Sequence, residues 1–198
     1  MKFFISLLLW LVAIPIFSQS KISIALQSFN NFPSSYIDSI KTGIEQKYGK
    51  VKLIVLPNKK LPTSAYYKPR NRYRAEKILT FLDTLVTGDT KIVGLTTLDI
   101  STTNGKYKDW GIFGLGEINA RPCVVSTFRL KKKNVSSRLF IQRLVKIVNH
   151  ELGHTFGFEH CPFYNCLMED AKGTIKTVDK SDGNFCKKCR ILLMNHVF

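Results

Sequence analysis

Apolar and polar positions along the chain fall into alternating blocks of two periods. Ile22, Ile24 and Leu26 occupy every second position, the spacing of a strand. Pro33-Ser34-Ser35 then opens a segment in which Ile37, Ile40, Ile44 and Tyr48 recur at helical spacing, and Gly49 stops it. Val51 to Leu56 predicts a second strand ended by Pro57. A basic loop with Tyr66, Tyr67, Lys68 and Arg70 leads into a predicted helix over Asn71 to Val86, with Ile78, Leu82 and Leu85 inward and Gly88 closing it. Lys91 to Ile100 predicts a third strand, and β-rich segments follow over Gly111 to Glu117 and Cys123 to Leu130. Lys131-Lys132-Lys133 marks a turn. Ser136 or Ser137 then caps a long helix whose apolar stripe is Phe140, Leu144, Ile147 and Val148. Strands alternating with helices predict an α/β layer arrangement. Beyond Gly157 the chain is irregular and cysteine-rich, which predicts a small C-terminal lobe.

The amino-terminal twenty residues follow neither period. Lys2 precedes an apolar run from Phe3 to Phe17, broken only by Ser6 and Pro15, with Ser18-Gln19-Ser20 after it. A bilayer span needs about 20 apolar residues, so the run is short for a membrane helix and suits a signal-peptide core. The expectation is a signal peptide over residues 1–20 and an exported chain from residue 21, periplasmic or secreted; an uncleaved membrane anchor is the alternative. No cysteine follows the run, so a lipid anchor is not expected.

Composition narrows the classes further. With 198 residues, 44% apolar and 22% charged, the chain has enough apolar side chains for a core and too few apolar segments for a polytopic membrane protein. Thirty Lys and Arg against 14 Asp and Glu give a formal charge of +16. Arg70, Arg72 and Arg74 interleave with Tyr66, Tyr67 and Tyr73, as nucleic-acid surfaces do. Placed at the start of a helix, however, alternate arginines spread around it. No nucleic-acid partner is therefore expected, and an anionic cell-envelope surface or an acidic substrate suits the charge better.

The long helix carries His150-Glu151-Leu152-Gly153-His154 at its end. A spacing of four puts both imidazoles on one face, one turn apart, where they can share a metal ion. Glu151 stands beside them, placed to take a proton from a zinc-bound water whose pKa the metal has lowered to about 7. Gly157 lets the helix end and the chain reverse, and His160 returns as a third ligand, leaving a fourth position open. Three of the four histidines in the chain fall on this eleven-residue motif.

The motif is the metzincin signature, and the residues after it are more specific. Cys161 follows His160, then come Cys166, Met168 and, seventeen residues on, the pair Cys186 and Cys189. The string HExxHxxGxxHCx4CxMx17CxxC resembles that of the archaemetzincins. Softer similarities, Leu61-Pro62-x-x-Ala65-Tyr66, Arg72-x-x-Arg74-Ala75 and Phe113-Gly114-Leu115-Gly116, extend it over most of the chain. The resemblance implies a zincin-like α/β fold with a twisted mixed sheet, an N-terminal lobe over residues 21–157 and a C-terminal lobe over 158–198. It implies a catalytic zinc on His150, His154 and His160, Glu151 as general base, Met168 as the apolar Met-turn, and a structural zinc on Cys161, Cys166, Cys186 and Cys189. The implied activity is zinc-dependent hydrolysis of peptide or protein substrates, aminopeptidase-like in some members. The alternative is a zinc-stabilised, catalytically silent peptide- or surface-binding protein. Two features depart from the family. The export signal is unusual for it, and Asp170 stands two residues after Met168 where some other metzincins place a tyrosine.

The four cysteines carry opposed expectations. An exported chain favours disulfides, whereas the x4 and x2 spacings, with Lys187, Lys188 and Arg190 beside the second pair, favour a metal. The metal is preferred, for two zinc ions per chain. Cys123, in Pro122-Cys123-Val124-Val125, is expected to be a buried, inert thiol. Asp99 and Glu117 are expected at turns or on the surface. The metzincin resemblance implies that the segment Gly111 to Leu130 holds the edge strand above the cleft, a place for a peptide to add as a further strand; a plain sheet strand with no ligand is the alternative.

Overall fold

The structure is a computed structural model describing residues 22–131 and 135–197. The segment 1–20, with the expected export signal, lies outside the described residues, as do Lys132 and Lys133 of the expected turn. Five strands form the main sheet: β1 (Ser23–Phe29), β2 (Lys52–Lys59), β5 (Lys91–Thr96), β8 (Gly114–Gly116) and β9 (Pro122–Ser126), in the order β2-β1-β5-β9-β8. Neighbours are parallel except β8, which runs antiparallel to β9 at the edge. A smaller sheet holds β3 (Tyr66–Tyr67), β4 (Arg72–Arg74), β6 (Ile100–Asn104) and β7 (Tyr107–Ile112), in the order β3-β4-β6-β7. Five α-helices, α1 (Ser35–Tyr48), α2 (Ala75–Asp83), α3 (Ser137–Thr155), α4 (Ile175–Lys180) and α5 (Lys187–Val197), and two single 3-10 turns, Thr63–Ala65 and Lys68–Arg70, complete the described chain. This is the mixed α/β architecture that the motif implied. None of the described helices is long and apolar enough to cross a membrane.

The period of two in the strands is what divides the core. Ile24, Leu26, Val93, Leu95, Cys123 and Val125 face α1 and α3, while Ala25, Ile92 and Val124 face α2. Helix α1 buries Ile37, Ile40, Ile44 and Tyr48, the stripe its sequence predicts. Each such fully buried side chain contributes about 1.5–3 kcal/mol of hydrophobic stabilisation. Ser136 caps α3, its hydroxyl accepting the Leu139 N–H at 3.2 Å. The chain after α3 packs Phe158, Leu167, Met168 and Phe185 into the same core as Leu144, Val148 and Leu152.

Three expectations are corrected, each for a tertiary reason. The strand predicted over Lys91 to Ile100 is two strands, β5 and β6, in different sheets. The strand predicted to end at Pro57 runs through it to Lys59, because β2 is an edge strand and a missing N–H there removes no ladder bond. The helix predicted from Asn71 begins only at Ala75, and Arg72 to Arg74 is strand β4. Arg72 and Arg74 thus lie on one strand face, two residues apart, and both meet Asp109, at 3.3 and 3.9 Å.

Asp99 is likewise not a surface carboxylate. It is 7% exposed, with Arg129 donating to both of its oxygens at 2.8 and 2.9 Å and the Arg72 guanidinium in ion-pair contact at 3.1 Å. This cluster ties β4, the start of β6 and the segment after β9 together behind the β6–β7 hairpin. Asp99→Ala leaves two guanidinium groups without their shared counter-charge and is expected to cost about 3 kcal/mol of stability. Asp38→Ala, which removes an exposed partner of Lys41, is expected to cost less than about 0.5 kcal/mol. Denaturant unfolding of both variants, compared by midpoint at constant slope, checks the contrast.

Candidate metal centre and substrate cleft

The last turn of α3 is the centre of the site. His150 and His154 each commit Nδ1 to a backbone carbonyl, Leu167 O at 2.7 Å and Phe158 O at 2.6 Å. A carbonyl oxygen only accepts, so Nδ1 carries the hydrogen in both rings and Nε2 presents a lone pair. The two Nε2 atoms lie 3.2 Å apart. Tetrahedral nitrogen ligands around one zinc stand about 3.3 Å apart, so this spacing fits a shared cation and not a hydrogen bond between two acceptors. His160, brought back by the turn at Gly157, completes a triad whose ligand atoms all lie within 4.8 Å of one another. Burial, reinforced by its neighbour His154, lowers the His150 imidazole to about 3, so the ring is neutral, the form that binds a metal.

Glu151 is buried beneath the edge strand. Burial pushes its carboxyl up to about 8, opposed by the N–H that Gly116 donates to it. The close approach depends on glycines. A Cβ at Gly114 would stand 2.7 Å from Glu151 Oε1, and one at Gly116 would stand 2.3 Å from the Glu151 carbonyl oxygen. Under the helix, Met168 is fully buried, and a Cβ at Gly153 would be 2.6 Å from its sulfur. At the helix end, Gly157 adopts φ 91°, the left-handed region, and its N–H donates to His154 O at 2.8 Å.

The four cysteines gather into a second cluster. Cys161 and Cys186, and Cys166 and Cys189, each place their sulfurs 3.8 Å apart, and all four sulfurs fall within 4.8 Å. No pair approaches the roughly 2.05 Å of a disulfide. Four thiolates on one zinc at about 2.3 Å stand about 3.8 Å apart, so this donor set fits a metal. Burial raises the Cys186 thiol, but the N–H of Cys189 and the neighbouring thiols overcome this and bring it down to about 7. The two clusters are joined through the chain. Cys161 follows His160, its N–H donates to Met168 O at 2.8 Å, and Cys166 precedes Leu167, whose carbonyl holds His150. Cys123 is fully buried and unpaired, its thiol raised by burial.

A cleft of about 600 Å³ runs over the histidines. Its upper rim is the β7–β8 segment, from Trp110 to Gly116, and its lower wall is the Ala171–Gly173 turn with Thr177 and Val178 of α4. Arg143 fixes this wall, donating to both oxygens of Asp179 at 2.6 Å. The expected edge strand is present as β8, with one side unpaired. The carbonyls of Leu167 and Phe158 and the N–H of Gly116 left no trace in the residue types, since backbone groups are common to all. The glycines at 114 and 116 were the readable signal.

A mixed α/β fold with three convergent imidazoles, a buried carboxylate beside them and a cleft beneath an edge strand defines a zinc-dependent metallopeptidase. The profile of peptidase family M54 matches residues 19–195. The chain is 34% identical to archaemetzincin of Methanopyrus kandleri over 164 residues, 83% of this chain and 89% of that one. A crystal structure of archaemetzincin from the same organism shares the fold at a TM-score of 0.78 and 32% identity, covering 91% of this chain and 98% of that one. A second, from Archaeoglobus fulgidus in complex with malonate, gives 0.73 and 26% identity, covering 86% and 99%. The chain belongs to peptidase family M54, the archaemetzincins.

Gly114→Ala, whose new Cβ would meet the Glu151 side chain, is expected to displace Glu151 while leaving the three histidines in place. A displacement of about 1 Å at such a site costs on the order of 10² in rate. Peptide hydrolysis should fall by that factor with zinc content unchanged; an unaltered rate would show that the strand-to-helix contact is dispensable.

Proposed function

We propose that this chain hydrolyses peptide bonds at the His150, His154 and His160 cluster, with Glu151 as general base and then general acid. The observation that carries it is the pair of Nε2 lone pairs aimed at one point beside a buried carboxyl. When bound, zinc supplies a Lewis-acid centre that makes water acidic near neutral pH and polarises a carbonyl. The chain's own residues do the rest. Leu167 O and Phe158 O lock the two imidazoles in the ligating tautomer. A positive ion at the triad favours the ionised form of the Glu151 carboxyl, which then accepts a proton from water and passes it to the departing amine. The free side of β8 offers backbone N–H and C=O groups that align an extended peptide across the cleft.

A second zinc on Cys161, Cys166, Cys186 and Cys189 belongs to the same proposal. It would hold the His160 arm and the Leu167 carbonyl in place from one side, through Cys161 and Cys166, their covalent neighbours. Glu151→Gln is expected to retain two zinc ions per chain by elemental analysis and to lose about 10²- to 10⁴-fold in turnover. One zinc per chain, or undiminished turnover, would overturn the corresponding half of the proposal. A zinc-stabilised protein that binds peptides without cleaving them is the outcome if neither the native chain nor the variant turns over peptide.

We propose in addition that the chain is exported. The apolar run Phe3 to Phe17 supports this, as does the family match starting at residue 19, which leaves that run outside the shared domain. Amino-terminal sequencing of the chain recovered from its producing cell should begin at or near Lys21 and in the exported fraction. Recovery with Met1 or Lys2 at the terminus, inside the cell, would rule export with cleavage out.

A further inference from the structure

The two walls of the cleft approach each other where Trp110 meets Gly173. Strand β7 alternates its side chains between two faces, and the faces have different tasks. Asp109 points back to Arg72 and Arg74, and the guanidinium of Arg129 lies over the backbone of Gly111, where any side chain would stand. Trp110, between them, points the other way, into the cleft with Ile112. Its indole reaches the opposite wall, where a Cβ at Gly173 would stand 3.2 Å from Cζ2 and 3.7 Å from Nε1. Lys172 and Gly173 are both left-handed, at φ 47° and 70°, which turns the chain tightly under the ring. Tyr107 packs against the indole, ring centres 5.4 Å apart. The bar is therefore built into the fold: its two flanking residues are pinned from behind by arginines, and its partner is a glycine that leaves room for it.

The direction of the rim says which chain end the bar meets. The rim runs from Trp110 through Ile112 to Gly114 and Gly116, beside Glu151. A peptide adds to β8 most favourably antiparallel, which sends its carboxyl end toward Trp110. Gly114 lies four positions beyond Trp110, about 13 Å at strand rise, so no more than about four residues fit between the histidines and the indole. Lys172, beside the bar and lining the cleft, offers positive charge to a terminal carboxylate.

Given the proposed hydrolysis at the histidine cluster, on which this reading rests, we infer that Trp110, closed against Gly173, is a specificity-determining residue that makes this protein a carboxyl-end exopeptidase, releasing fragments of up to about four residues from a free C-terminus. Each event consumes one water and yields one new carboxylate on the retained chain and one new amine on the fragment. The end selected is opposite to the aminopeptidase-like activity that the family resemblance implied.

The test compares three peptides on the zinc-loaded full chain by mass spectrometry. They are a decapeptide with acetylated amino end and free carboxyl end, the same peptide amidated at the carboxyl end, and a thirty-residue chain carrying the sequence internally. The expected result is cleavage of the first near its carboxyl end, weaker cleavage of the second and no internal cleavage of the third. Trp110→Ala should open the cleft and raise internal cleavage on the order of tenfold, the discrimination one apolar contact provides. Lys172→Gln should lower the preference for a free carboxyl end about 2- to 5-fold, as expected for an exposed charge. Internal cleavage by the native chain at the terminal rate, cleavage counted from the amino end, or an unchanged pattern in Trp110→Ala would each overturn the inference.

A binding readout keeps it testable apart from turnover. The sequence has two tryptophans, and Trp10 lies in the segment proposed to be cleaved, so Trp10→Phe makes Trp110 the single one whether or not that segment is removed. Combined with Glu151→Gln, this variant should change emission on titration with the free-carboxyl peptide and bind the amidated and internal ones more weakly. Equal binding of all three would sink the inference even if hydrolysis holds. Absence of hydrolysis with the selective binding intact would overturn the peptidase proposal and the exopeptidase reading built on it, leaving only carboxyl-end recognition at Trp110.

Discussion

Two imidazole nitrogens whose lone pairs face each other across 3.2 Å repel unless positive charge lies between them, and the architecture is organised around holding them there. Each ring is held through its other nitrogen by a backbone carbonyl, and both carbonyls belong to chain that follows the helix. The helix end is itself restrained. Tyr48 donates to Asn149 O at 2.6 Å, Lys91 donates to Thr155 O at 2.8 Å, and Asn119 N–H donates to His154 O at 3.0 Å. Lys91 satisfies a carbonyl that the helix C-terminus otherwise leaves unpaired and adds positive charge where the helix dipole is negative. Burial then keeps the histidines neutral, so the arrangement costs stability until a cation offsets it. A site of this kind is pre-formed for its metal at the expense of the empty state.

The cysteine cluster belongs to the same restraint. Leu167 lies between Cys166 and Met168, so one short stretch supplies a sulfur of the cysteine cluster, the carbonyl that orients His150, and the apolar floor. Cys161 does the same for His160. A metal on the four sulfurs would stiffen both arms without touching the reaction, which gives a physical reason for two clusters so close in sequence. The Arg72, Arg129, Asp99 and Asp109 group acts similarly on the other wall. There, part of the chain's large positive charge is consumed inside the fold, against buried carboxylates, instead of being displayed at the surface.

Chemistry was legible in the sequence where it depends on spacing along one helix or across one turn. The triad, Glu151, the Gly157 reversal, the Ser136 cap and the α1 stripe are all of that kind, and all stand where their spacing put them. Local spacing misled where a neighbour from elsewhere decided the outcome. Arg72 to Arg74 continue plausibly into a helix until β6 is placed beside them, and Lys91 to Ile100 reads as one strand until two sheets claim its two ends. Asp99 looks like a turn carboxylate, since nothing nearby in the chain indicates that Arg129 comes to meet it.

What the sequence by itself determined was the kind of chemistry: histidine, glutamate and cysteine at helix and turn spacings commit those atoms to converge, because local geometry follows from the backbone alone. What only the tertiary structure decided was the environment of that chemistry. The carbonyls that orient the imidazoles, the glycines that let β8 meet Glu151, and the indole that meets Gly173 across the cleft come from segments distant in the chain. Such contacts are made by folding, and no single stretch of sequence carries them.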